Sequence, residues 1–70
     1  MIYFLKKLSK KYGVNIVREQ WGNFHYNGFH IRYVVDYGGN NPQDFWLEDY
    51  HWNIKRLKKD MVNYCERMFL

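Results

Sequence analysis

Seventy residues suffice for one domain, 1–70, with a thin core and no deep substrate pocket. Aromatic side chains make up 21% of the chain, more than so small a core can bury, so some of them are expected at the surface as contact groups. Eleven Lys and Arg against seven Asp and Glu give +4, a balance suited to nucleic acid or an acidic protein face, and the lone Cys65 excludes an internal disulfide and paired-cysteine zinc sites.

Residues 2–12 read as a short amphipathic helix. Leu5, Leu8 and Tyr12 share one stripe, Lys6, Lys7, Lys10 and Lys11 occupy the opposite face, and Gly13 stands where a C-cap belongs. The apolar opening Met1–Leu5 is cut short by Lys6 and Lys7. It is too brief for an export signal or a membrane span, so a cytoplasmic protein without membrane contact is expected. Residues 14–20 resemble a first strand. Asn27-Gly28, set between two alternating aromatic runs, predicts a two-residue hairpin turn in which His25 faces His30 and Asn23 faces Arg32. That register puts Phe24, Tyr26, Phe29, Ile31, Tyr33 and Val35 on the core face, and His25, His30 and Arg32 on the other.

From Asn41 onward the pattern predicts one long helix over about 42–68. Asn41 is a fitting N-cap, Pro42 a fitting first position, and Leu47, Tyr50, Ile54, Leu57, Met61, Tyr64, Cys65 and Met68 form its apolar stripe. Such a helix would be roughly 40 Å long and would overhang a three-stranded sheet, leaving an end for a partner or for a homodimer through the helix. The expected fold class is therefore α+β: an αβββα domain whose three-stranded antiparallel sheet packs on a short N-terminal and a long C-terminal helix.

Two groups of side chains fall outside this core. Phe45, Trp52, Lys55, Arg56 and Lys59 line the polar face of the long helix, where an indole ringed by cations suits base stacking or an interface hot spot. His25, His30 and Arg32 share the outer hairpin face. Two imidazoles there could act as acid and base on a phosphodiester, but a bare hairpin lacks a pocket to hold the geometry. A third metal ligand is missing as well, so neither a metal nor a cofactor is expected. Cys65 reads as a small core hydrophobe.

The order helix, three strands, helix resembles the double-stranded RNA-binding domain, a layout shared by HicA-type ribonuclease toxins. The segment Val17-Arg18-Glu19-Gln20-Trp21-Gly22-Asn23-Phe24-His25 is similar to the toxin region that carries the catalytic histidine, which would put His25 in that role. From the RNA-binding domain the chain departs at the start of the second helix, where Asp44, Glu48 and Asp49 stand in place of a basic cluster. The expected function is a non-enzymatic binding module: a small inhibitor or adaptor, of a kind made by phages or other mobile elements, docking on a nucleic-acid-handling protein or protein–nucleic-acid complex. Direct RNA or DNA binding is the first alternative and a HicA-like ribonuclease the second.

Overall fold

The computed structural model describes residues 1–23, 26–39 and 41–69. Helix α1 (Ile2–Tyr12) leads into strands β1 (Asn15–Asn23), β2 (Tyr26–Asp36) and β3 (Gln43–Trp46). A 3₁₀ turn (Leu47–Tyr50) and helix α2 (Ile54–Phe69) complete the chain. The sheet is antiparallel in the order β1-β2-β3, so the αβββα class holds. Helix α1 has the expected bounds, and Gly13 ends it in the left-handed region at φ 66°.

One face of the sheet carries the core. Ile31, Tyr33 and Val35 of β2 point inward with Phe45 of β3 and pack against Leu8, Leu57, Met61 and Cys65 from the helices. Val35, Leu57, Met61 and Cys65 are fully buried. Burial pushes the Cys65 thiol pKa up, in keeping with its place as a small core hydrophobe. Phe4 lies beneath Lys58 near one end of the helix pair and Tyr12 meets Phe69 near the other. The two helices therefore run side by side in the same direction.

Three expectations are corrected. The first is the hairpin turn. Cross-strand partners are Glu19 with Arg32, Gln20 with Ile31 and Trp21 with His30, while Asn23 faces both Tyr26 and Asn27. Asn27-Gly28 thus lies inside β2 and not in a turn; Phe24 and His25 lie outside the described residues. Strand β1 continues past the expected 14–20 to Asn23, and Tyr26, expected in the first arm of the hairpin, belongs to β2. Long-range pairing explains the shift: this register sets Glu19 against Arg32 and lets Trp21 cover that pair, contacts that outweigh a favourable local turn.

The second correction is the start of the long helix. Residues 43–46 form β3, and Phe45 in it is only 6% exposed. Phe45 is a core residue because Tyr33, its cross-strand partner, faces the helices. The third concerns Trp52. The 3₁₀ turn and α2 are separated by His51 and Trp52, both left-handed at φ 52° and 62°, and Asn53 caps α2 by accepting the Arg56 N–H at 3.3 Å. Trp52 therefore lies in a turn and not on a helix. At 16 residues, or about 24 Å, α2 lacks the overhang that suggested a dimer through it.

Backbone conformation gives two tests of opposite sign. Gly22 has φ 85°, and a Cβ there would run into the Gly28 carbonyl. Gly22→Ala should lower stability by about 2 kcal/mol or more in urea unfolding. His51 is exposed and left-handed, so His51→Gly should raise stability by about 1 kcal/mol in the same measurement.

Candidate functional site

The residues singled out from the sequence fall in separate places. Lys55, Arg56 and Lys59 are exposed in the first two turns of α2. Trp52 precedes them in the turn, with its indole stacked on Phe29 of β2 at 5.6 Å between centroids and 7° between planes. The ring remains 46% exposed. Phe45 is in the core. His30 and Arg32 project from the opposite, helix-free face of the sheet, and His25 lies outside the described residues. The single aromatic and basic stripe expected along one helix is therefore absent.

The helix-free face carries its own ordered cluster. Register puts Glu19, Arg32 and Trp46 in one row across all three strands, with Trp21 and His30 in the next. Arg32 donates to Glu19 at 2.6 Å and to Asp44 at 3.3 Å, one carboxylate on each neighbouring strand. The indoles of Trp21 and Trp46 lean over it at 4.7 and 5.2 Å and meet each other at 5.7 Å. The Glu19 hydrogen bond, followed by the fields of Glu19 and Asp44, raises the Arg32 pKa against the opposing effect of burial. His30 packs edge-on to Trp46, and its Nδ1 lies 2.6 Å from Glu48 Oε1. Arg32 is thus an internal ligand of this face, its charge offset by two carboxylates. His30 faces Trp21 and not a second histidine.

The helical layer has the opposite character. Four lysines on α1 and five Lys or Arg on α2 make nine of the chain's eleven cations, against only Asp60 and Glu66 in the same helices. The sheet and its connections hold Arg18 and Arg32 against five acids: Glu19, Asp36, Asp44, Glu48 and Asp49. Ion pairs among the described residues join His30, Arg32, Glu19, Asp44 and Glu48 on the sheet, and none involves a helix cation. Helical spacing puts Lys7 and Lys11 on the same side of α1 as Phe4, and Lys55 and Lys59 beside Lys58 on α2. Since Lys58 lies over Phe4, these five lysines flank the seam between the helices. Asp60 is held on the far side of α2, where Tyr50 donates to it at 2.8 Å. Burial and this bond push the Tyr50 phenol pKa up to about 12.

With α2 starting at Ile54, its first two turns hold Lys55, Arg56, Lys58 and Lys59. The expected departure from the RNA-binding layout, acids at the start of the second helix, is therefore reversed: Asp44, Glu48 and Asp49 belong to β3 and the 3₁₀ turn. The sequence pattern by itself marks neither Trp21 nor Trp46 as a site residue. Period-2 spacing of Phe45 and Leu47 was the available signal that Trp46 belongs to a strand. No known protein family, curated protein or solved structure matches the chain. Among the described residues no helix is long and apolar enough to cross a membrane, and no group of three His, Cys, Asp or Glu could hold a metal ion.

If the Arg32 cluster is a fold element, Arg32→Met should strand two carboxylates beneath the indoles. The melting temperature should fall by several degrees, more than for Glu19→Gln alone, and tryptophan emission should shift red as Trp21 and Trp46 separate. An unchanged melt and spectrum would show the cluster to be idle.

Proposed function

We propose that this protein is a non-enzymatic module that binds the phosphate backbone of nucleic acid through its helical layer. One observation carries this: nine cations gathered on two parallel helices with no carboxylate paired to them, while most acids lie on the sheet side. Cations left unpaired on one face recruit polyanions by releasing their counterions. The αβββα layout shared with double-stranded RNA-binding domains points the same way, now that the second helix opens on a basic cluster. A binding role is further supported by His30, which is engaged by Glu48 and lacks the cross-strand histidine a two-imidazole mechanism needs.

A protein partner, with the chain acting as an inhibitor or adaptor of nucleic-acid-handling machinery, is favoured by a different observation. Trp52 keeps nearly half its surface exposed while stacked on Phe29, two residues before the basic start of α2. Such an indole beside cations has the make-up of an interface hot spot.

Fluorescence anisotropy with a 20-base-pair duplex, as DNA and as RNA, distinguishes these. About five seam lysines imply that log affinity falls with log salt at a slope near −4 on DNA. Reversing Lys55 and Lys59 to Glu should flatten that slope by about 2. Salt-independent binding, or a slope untouched by the reversal, would remove nucleic acid as the ligand. For a protein partner, capture from lysate should survive nuclease, and Trp52→Ala should weaken it by about 2 kcal/mol.

A further inference from the structure

Two strands of this sheet are edges, and only one of them is protected. Strand β3 has four residues, follows Pro42 and runs directly into the 3₁₀ turn, features that blunt an edge. Strand β1 has nine residues and contains neither proline nor lysine. Its register irregularity lies at the far tip, between Trp21 and Asn23. Residues 15–20 thus present a row of backbone donors and acceptors with no strand among the described residues on their outer side.

A groove of about 550 Å³ lies between α1 and the start of that edge, at Asn15 and Ile16. Leu5, Val14 and Ile16 give it an apolar floor, and Lys6 and Lys10 stand on its rim. These two lysines lie on the opposite side of α1 from Phe4 and the helix seam, so the groove is distinct from the phosphate-binding surface proposed above. Arg18 is exposed further along the same strand, its guanidinium bonded to Gln20 at 2.9 Å and to no carboxylate.

We propose that this groove takes an extended acidic peptide as a fourth strand beside β1. Backbone hydrogen bonds to residues 15–20 would hold it. Because side chains alternate along a strand, every second residue would point toward the apolar floor or the lysine rim. A second copy of the chain is the poorer occupant. Antiparallel pairing of β1 with its own copy would bring two α1 helices to one face of the joined sheet, setting Lys6 and Lys10 toward their own duplicates. An acidic segment meets the same lysines with opposite charge.

Selection from a displayed library of random 12-residue peptides, followed by amide NMR on the intact chain, tests this. Enriched peptides should alternate apolar and acidic residues, and should shift and protect the amides of residues 15–20 together with those of α1. Lys6→Glu with Lys10→Glu should cut their affinity about tenfold or more, whereas Lys55→Glu with Lys59→Glu should leave it unchanged. Several outcomes would overturn the assignment: no enrichment, shifts confined to the helix seam or the outer sheet face, or affinity indifferent to the Lys6 and Lys10 reversal. A sedimenting dimer whose residues 15–20 are already protected without peptide would give the edge to a second copy instead.

Discussion

Arg32 sits on the central strand and reaches one carboxylate on each neighbour, Glu19 on β1 and Asp44 on β3. A planar guanidinium with donors on a rigid fork suits two acceptors held apart in this way. Both ladders are thereby set at once. A slip of one residue on either side would carry Arg32 away from its partner and turn every inward side chain of that strand toward solvent. Trp21 and Trp46 add a roof that links the outer strands across the middle one. All these side chains are partly solvated, so their effect lies more in choosing the register than in adding stability.

Much follows from that register. It turns Ile31, Tyr33, Val35 and Phe45 inward together, and over that same face α2 answers with Leu57, Met61 and Cys65 at helical spacing. It also brings Phe29 to where Trp52 lands after the 3₁₀ turn. Trp52 can adopt a left-handed backbone, which costs about 1–2 kcal/mol for a residue with a side chain, because a flat ring is waiting beneath it. Helix α2 then starts clear of the sheet acids, with its cations outward.

Elements whose information is local were legible in the sequence. Helix α1 has a full amphipathic period and a glycine stop, and the second half of α2 repeats every three to four residues without interruption. The place of the chain reversal was not legible because Asn27-Gly28 is a strong local signal, whereas the contacts that decide the register join residues 11 to 14 positions apart. Residues 42–50 deceived for another reason. Leu47 and Tyr50 continue the helical spacing of Ile54 and Leu57, as a 3₁₀ turn allows, and the break at His51 and Trp52 uses no glycine to announce itself. Trp52 could be recognised as lying outside the helical stripe. Its platform could not, since Phe29 is brought to it only by the tertiary fold.

Charge shows the same limit most plainly. Along the chain, Glu48 and Asp49 stand only a few residues before Lys55 and Arg56, so acids and bases look mixed and the net +4 looks mild. Folding sends the first pair to the sheet side and the second to the helical side. The molecule is 19 Å across its shortest dimension, about twice the screening length of roughly 8 Å at physiological ionic strength. Carboxylates behind the sheet therefore offset little of the field in front of the helices. A polyanion approaching the helix seam meets five lysines, with Asp60 turned to the far side of α2, a more basic surface than the composition of the whole chain implies.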